Sequence, residues 1–326
     1  MGAARMRATA ATAAVTAAVV TMAVAVAGCS PAGGGPSGGR TQDPLRPPAI
    51  ATSPPTPPTP PTAPSHPSHP SPSAPSSLVG RGRLVPRYED GRTAEDRRTQ
   101  RFLQDNQVLE HIAAFANERI ALAYDVPVVA KSCGGANASW DPRARDITYC
   151  YELVEETRPV FLEQAAREGS GSSADQTKAA DDGVIGFSNG VLLHELGHGL
   201  VDMYDLPITG KEEDAVDQLA TLLLATGGEQ HIDYAVSTIN AWGALADAQE
   251  AGDLSGLFSD EHSLSAQRFY NEICWLYGSN PDAFASAVIA VGNPDGVLPP
   301  LRAEGCRHEY EQIRRSWNRL LQPYLK

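Results

Sequence analysis

The position of the aromatic residues is the feature that most restricts how this chain can fold. All 21 aromatic residues of the 326-residue chain lie at or after Tyr88. Residues 31–78 instead contain 16 prolines and only three charged side chains, and such a segment cannot bury enough apolar surface to offset its conformational entropy. We therefore expect a disordered Pro-rich linker there and a folded part at residues 79–326, which is long enough for one sizeable core.

Residues 1–28 have the composition of an export signal. Arg5 and Arg7 form a short positive segment, and the apolar run at residues 8–28 ends directly before Cys29. Small residues at the end of such a run are typical of a cleavage site rather than of a helix that stays in the membrane. The sequence therefore predicts a cleaved signal and a domain that is exported from the cytoplasm.

The four residues that end in Cys29, Val-Ala-Gly-Cys, resemble a bacterial lipobox. This resemblance implies that residues 1–28 are a lipoprotein signal peptide and that Cys29 becomes the lipidated first residue of the mature chain. Residues 29–78 would then connect the lipid to the domain, since an acylated cysteine holds a soluble domain at a membrane without a spanning helix. An ordinary signal peptide with an incidental cysteine is the alternative. The expected location is extracytoplasmic, lipid-anchored to the outer face of the bacterial cell membrane.

The charge of the folded part excludes one class of function. Residues 79–326 hold 22 Lys and Arg against 38 Asp and Glu, a formal net charge of −16. Nucleic-acid binding needs clustered Lys and Arg for the phosphates, so no nucleic-acid partner is expected. Anionic lipid would repel the same surface, so the N-terminal lipid is the only membrane contact that we expect.

Four further cysteines agree with export, because an even number of them in an exported chain favours disulfides. They are Cys133, Cys150, Cys274 and Cys306. Three pairings are possible, and we prefer Cys133–Cys150, which flanks a turn-rich stretch, together with Cys274–Cys306. A zinc site built from the four is disfavoured, since no two have the C-x₂₋₄-C spacing.

The apolar spacing predicts a short sheet followed mostly by helices, which indicates an α+β domain. The expected helices cover residues 93–123, 158–168, 189–203 and 212–226, with more helices towards the C-terminus. The expected strands cover residues 126–130 and 147–154. Residues 169–182 are small and polar and are expected to form a loop. The strand at 147–154 could be an edge that pairs with a peptide substrate, although an interior strand beside a disulfide is the preferred interpretation.

One motif in the predicted helix at 189–203 carries chemistry, His194-Glu195-Leu196-Gly197-His198. Residues i and i+4 share one helix face, so the two imidazoles can bind one zinc ion. The intervening Glu195 lies beside the metal, where it can take a proton from zinc-bound water and pass it to a leaving amine. A chance pair of histidines on a helix is the alternative.

The next helix offers a third ligand, which a catalytic zinc requires. Glu213 and Asp217 are i and i+4 on this helix, so Glu213 can bind zinc while Asp217 orients an imidazole through its other ring nitrogen. An acidic first turn favoured by the helix dipole is the alternative. That alternative accounts poorly for Asp217, which lies one turn further along among apolar residues.

At these residues the chain resembles the gluzincins, zinc peptidases in which an H-E-x-x-H helix is followed by an E-x-x-x-D helix. It is most similar to a bacterial family catalogued as metallopeptidases of unknown function. The similarity covers residues 110–310 and lies in Cys150-Tyr151-Glu152, residues 194–207, residues 212–224 and Arg268-Phe269-Tyr270-Asn271.

The resemblance implies a zincin-like metallopeptidase domain that binds Zn²⁺. The implied metal ligands are His194, His198 and Glu213. Glu195 would be the general base, and Asp217 would support a ligand. Fifteen residues separate His198 from Glu213, which is shorter than in the best-known gluzincins, so Glu212 and Asp214 remain alternatives as the third ligand.

A donor to the oxyanion of the tetrahedral intermediate is also expected in a peptidase. Residues 262–268, His-Ser-Leu-Ser-Ala-Gln-Arg, are similar to a stretch that follows the metal helices in another bacterial zinc peptidase family. His262 is the preferred donor, and Arg268 and then Tyr270 are the alternatives, while an ordinary surface histidine is the competing interpretation of His262. The sequence thus predicts an exported zinc peptidase that acts on peptides or proteins. Its rival is a catalytically silent zinc-binding or scaffold lipoprotein of the cell envelope.

Overall fold

The computed structural model describes residues 80–169, 171–250 and 254–326. The expected signal peptide, Cys29 and the linker lie outside these residues. Within them the chain forms a mixed α+β structure, with one four-stranded sheet and eight α-helices. Among the described residues, no helix is both long and apolar enough to cross a membrane.

The sheet has the strand order β1-β2-β4-β3, and only its last pair, β3 with β4, is antiparallel. Its strands are β1 Leu84–Tyr88, β2 Val126–Lys131, β3 Ala138–Asp141 and β4 Asp146–Cys150. Ile147 and Tyr149 of β4 are buried, as expected of an interior strand. The strand expected at residues 147–154 is therefore interior, and β3, which the sequence did not predict, is the edge strand beside it.

The helices follow the expected order but not all of the expected bounds. They are α1 Ala94–Asp105, α2 Val108–Arg119, α3 Tyr151–Arg167, α4 Ser173–Tyr204, α5 Glu212–Ala225, α6 Glu229–Glu250, α7 Ser265–Ser279 and α8 Pro300–Leu321. The single helix expected at 93–123 is wrong, because Gln107 adopts a left-handed conformation with φ of 51° and separates α1 from α2.

Two further expectations are wrong at helix starts. The strand at 147–154 ends at Cys150, and α3 begins there because Tyr151 and Val154 lie on one buried helix face. The loop expected at 169–182 is mostly the start of α4. Helix α4 begins with a capping box in which Ser172 and Asp175 bind each other's backbone N–H.

Helix α4 is the central element, since it packs against α3, α5 and α6 and against strands β3 and β4. Its approach to α5 depends on Gly197, because a Cβ atom added there would lie 2.7 Å from the Cβ of Val216. Val216 is fully buried in this contact. A glycine inside the H-E-x-x-H segment therefore sets the distance between the two helices.

Two disulfides pair the cysteines as the sequence predicts, Cys133 with Cys150 and Cys274 with Cys306. The first closes a loop that contains the whole of edge strand β3, and the second joins α7 to α8. Disulfides persist in oxidising compartments, so their presence indicates a location outside the cytoplasm.

Replacing Gly197 by alanine should destabilise the fold. Overpacking against Val216 costs about 1–3 kcal/mol, which exceeds the gain of ~1 kcal/mol in helix propensity. The matched control is Gly305→Ala on an exposed face of α8, where an added Cβ meets nothing within 4 Å, and this variant should be stabilised. Urea unfolding of both variants measures the difference. Equal stabilisation in the two would show that α4 and α5 are not in close contact at Gly197.

Candidate metal centre

Three side chains from α4 and α5 converge on one point. His194 Nε2 lies 3.2 Å from His198 Nε2 and 3.1 Å from Glu213 Oε2, and His198 Nε2 lies 3.3 Å from the same oxygen. The donor atoms of the three residues all lie within 4.8 Å of one another. The helix spacing explains this, because i and i+4 place both imidazoles on the face of α4 that meets the first turn of α5. Two imidazole nitrogens and one carboxylate oxygen form a donor set that suits zinc.

The structure also brings His262 to this point. Its Nε2 lies 3.0 Å from Glu213 Oε2, and its ring stacks against that of His194 with centroids 6.1 Å apart. His262 precedes α7 in a segment that Asp214 anchors, since Ser263 Oγ donates a hydrogen bond of 2.6 Å to Asp214 Oδ1. The side chain of His262 remains 45% exposed. It is therefore a solvent-accessible imidazole beside the proposed metal ligands.

The electrostatics of Glu213 follow from these contacts. Burial alone would raise the pKa of the Glu213 carboxyl, but hydrogen bonds from His194, His198 and His262 outweigh burial and hold the pKa well below its usual range. Glu213 is therefore an anion at neutral pH. An anionic oxygen with three imidazoles around it is the chemistry expected of a cation-binding centre.

The Nδ1 atoms of the two α4 imidazoles have carboxylate partners of their own. His194 Nδ1 lies 2.7 Å from Asp217 Oδ1, the contact that the sequence predicts. His198 Nδ1 lies 2.8 Å from Glu212 Oε1, a contact that the sequence did not predict. Such partners hold the proton on each Nδ1, so that each Nε2 faces the shared point and would offer a metal its lone pair once its own proton is released. Of the three acidic residues considered as third ligand, Glu213 alone faces both Nε2 atoms in this structure.

Arg268, the alternative oxyanion donor, does not line the cleft beside His194 and His198. It is buried behind His194, where Nε and a terminal nitrogen bind the two oxygens of Asp217 at 2.8 and 2.6 Å. Its guanidinium lies 3.6 Å from the centre of the Trp242 ring, and Trp242 Nε1 donates a 2.8 Å hydrogen bond to Glu272.

Sequence reasoning missed Trp242 and Glu272. Burial raises the pKa of Glu272 to about 8, and the nearby charge of Asp217 adds to this against the opposing charge of Arg268. The available signal was the i, i+4 spacing of Arg268 and Glu272 on α7. It gave no indication that either residue is buried.

Glu195 lies on the wall of a cleft of about 620 Å³, a size typical of ligand sites. The same cleft is lined by His194, His198, Glu213 and His262, and by Trp140 of edge strand β3. Burial raises the pKa of Glu195, although His194, His198 and the backbone of Trp140 act in the opposite direction. A carboxylate with a raised pKa beside a metal centre has the properties of a general base.

Comparison with known proteins identifies one family. The model of the family DUF4344, described as "Putative metallopeptidase", matches residues 88–321. No curated protein and no solved structure matches the chain. The matched region contains both helices of the metal centre and the segment that carries His262.

The metal-free protein should lose stability as pH rises from 6.5 to 9. Burial alone would lower the pKa of His194, but its bonds to Asp217 and Glu213 raise the pKa to about 9. The folded state therefore keeps a proton that the unfolded chain releases near pH 6.5. The stabilisation is complete below pH 6.5 and is lost as pH passes through 9, a change of up to about 3 kcal/mol.

Urea unfolding of chelator-treated protein at pH 6.5 and 9 measures this loss. His194→Gln should reduce the pH dependence, with the remainder due to His198 and His262, whose pKa values are raised by Glu213 as well, whereas His308→Gln, on an exposed face of α8, should keep the full dependence. The same slope in wild type and His194→Gln would contradict the assignment to His194.

Proposed function

Since the chain belongs to this metallopeptidase family, we propose that it is a zinc-dependent peptidase of the gluzincin type that hydrolyses peptide bonds outside the cytoplasm. One observation carries the proposal: two imidazoles and one carboxylate converge beside buried Glu195 on the wall of a cleft. A catalytic zinc takes three protein ligands and keeps a position for water or substrate. The arrangement of His194, His198 and Glu213 meets that requirement.

These residues fit zinc both in their ligand atoms and in the hydrogen bonds that orient those atoms. Asp217 and Glu212 occupy the Nδ1 atoms of His194 and His198, which leaves each Nε2 available as a ligand. Zinc bound there supplies a Lewis acid that polarises a carbonyl group and acidifies water. The anionic charge of Glu213 offsets part of the charge of a divalent ion.

Two residues of the cleft have separate roles in this proposal, one in proton transfer and one in hydrogen bonding to the oxyanion. Glu195 takes the proton of the attacking water, because burial raises the pKa of its carboxyl, and passes it to the leaving amine. His262 lines the same cleft and is half-exposed, which supports a role for its Nε2 as a hydrogen-bond donor to the oxyanion.

The edge of the sheet supports a peptide as substrate. β3 is one of the two edge strands of the sheet, and its residues Ala138, Ser139 and Trp140 line the cleft that contains Glu195, together with the preceding Asn137. An extended peptide can add to such an edge through backbone hydrogen bonds. The substrate would then lie along β3 with its scissile bond beside Glu195.

Location outside the cytoplasm is part of the same proposal. The two disulfides support an oxidising compartment. We propose that residues 1–28 are removed, that Cys29 carries the lipid anchor, that residues 29–78 act as a tether, and that residues 79–326 are the peptidase domain.

A second candidate function rests on His262. Because its Nε2 lies 3.0 Å from Glu213 Oε2, His262 could serve as a fourth ligand and close the site. A closed four-ligand zinc is structural, and the protein would then be a catalytically silent zinc-binding scaffold of the cell envelope.

The variant Glu195→Gln tests the proposed function. We expect it to fold and to bind one zinc per chain, because Glu195 is not a ligand, while cleavage of a peptide library falls by about 10²–10⁴-fold. The matched control is Glu261→Gln, an exposed carboxylate that lines the same cleft. Wild-type protein that binds one zinc but cleaves no peptide would favour the scaffold. Full cleavage by Glu195→Gln would show that Glu195 is not the base.

Alanine variants of the three acidic residues that open α5 identify the third ligand. Glu213→Ala should abolish stoichiometric zinc binding. Glu212→Ala should weaken it by about 10-fold, since it removes the partner of His198 Nδ1. Asp214→Ala should preserve it, because Asp214 binds Ser263 instead. Metal analysis after dialysis measures all three. Full zinc in Glu213→Ala, with loss in either of the others, would assign the ligand to a different residue.

A further inference from the structure

We infer that Arg268 is a positioning residue for the metal ligand His194 and that it acts through Asp217. The inference rests on the proposed function, because it takes His194 as a ligand. Asp217 Oδ1 is shared by two partners, with His194 Nδ1 at 2.7 Å and a terminal nitrogen of Arg268 at 2.6 Å. Nε of Arg268 binds the other oxygen at 2.8 Å. The guanidinium therefore fixes both oxygens of the carboxylate that orients His194.

The burial of Asp217 and Arg268 indicates that this ion pair orients His194 rather than stabilises the fold. The side chains of Asp217 and Arg268 are 6% and 10% exposed. A buried ion pair seldom stabilises a fold more than well-packed apolar residues of similar volume would. It does hold a carboxylate in one plane, because the guanidinium presents its donors in a rigid fork that a lysine cannot reproduce. The plane of Asp217 in turn determines the direction in which His194 Nε2 points.

The guanidinium is itself held from a second side. The Trp242 ring lies under it at 3.6 Å, and the indole is fixed by the hydrogen bond from Nε1 to Glu272 Oε1. Glu272 is one helical turn after Arg268 on α7 and is 4% exposed. Arg268 thus meets a carboxylate at its edge and an aromatic ring on its face. None of these residues lines the cleft that contains Glu195, although Arg268 and Trp242 line a smaller neighbouring cavity of about 280 Å³ that also contains His262.

The test measures metal binding by the variant Arg268→Lys in the full chain. This variant keeps the positive charge and removes the fork. We expect its zinc affinity, measured by competition with a chelator, to fall by about 10–100-fold. The visible absorption of bound Co²⁺ should change as well, since it reports ligand geometry. The matched control is Arg302→Lys, because Arg302 forks Glu309 at 2.8 and 3.1 Å on α8 in the same way. It should bind both metals as wild type does.

A double-mutant cycle separates positioning from general packing. If Arg268 acts through Asp217, Arg268→Lys should change zinc affinity by less than about twofold in an Asp217→Asn background. Independent, additive losses would overturn the inference. So would wild-type zinc affinity and an unchanged Co²⁺ spectrum in Arg268→Lys. If circular dichroism shows that Arg268→Lys does not fold, Trp242→Phe decides, since phenylalanine keeps an aromatic face but is smaller than the indole and lacks the N–H that binds Glu272. An unchanged Co²⁺ spectrum in Trp242→Phe would then overturn the inference.

The same experiment distinguishes this inference from the proposed function. Wild-type protein that binds zinc and Co²⁺ but cleaves no peptide would overturn the peptidase and leave the role of Arg268 to be decided by the affinities. Wild-type protein that binds neither metal would overturn both, because His194 would then not be a ligand.

Discussion

The contact of Gly197 with Val216 determines the geometry of the whole site. An added Cβ at Gly197 would meet the Val216 side chain at 2.7 Å, so α5 rests directly on the backbone of α4. His194 and His198 lie three residues before and one residue after Gly197. On α5, Glu213 and Asp217 have the same relation to Val216. Four polar residues therefore surround one apolar contact, and the distance between the helices sets the distances from the histidines of α4 to the carboxylates of α5.

The two carboxylates of α5 beside this contact each have several hydrogen-bonding or charged partners, and their negative charge explains why. Glu213 and Asp217 are carboxylates that the fold removes largely from water, which is costly unless each finds a cation or a donor. Glu213 is met by three imidazoles and Asp217 by Arg268 and His194. The shared position between Glu213 and the imidazoles is the one that a divalent ion would complete. The site thus combines a rigid apolar contact with anionic charge that a metal would neutralise.

The sequence correctly predicted those features of the site that depend only on spacing within a single helix. The i, i+4 spacing of His194 and His198, and of Glu213 and Asp217, is a local property and places these pairs correctly. The start of α4 was missed because residues 173–182 show little apolar periodicity, and only the Ser172–Asp175 capping box marks the helix. Strand β3 was missed because four residues are too few for an alternating pattern to be evident.

Contacts between residues that lie far apart in the sequence could not be predicted from helix spacing. Arg268 lies 51 residues from Asp217, so its position in the sequence allowed either the cleft or the core. The fold decides for the core, because Trp242 of α6 and Glu272 of α7 provide a site for the guanidinium behind His194. His262, by contrast, is held within its own short segment and through Ser263 to α5, and its side chain is 45% exposed, against 6% for His194. His194 and His198 are thus fixed by contacts between two helices, while the one imidazole in a loop faces the cleft. This division would suit the proposed peptidase, in which the metal ligands must stay in place and a separate donor must reach the substrate.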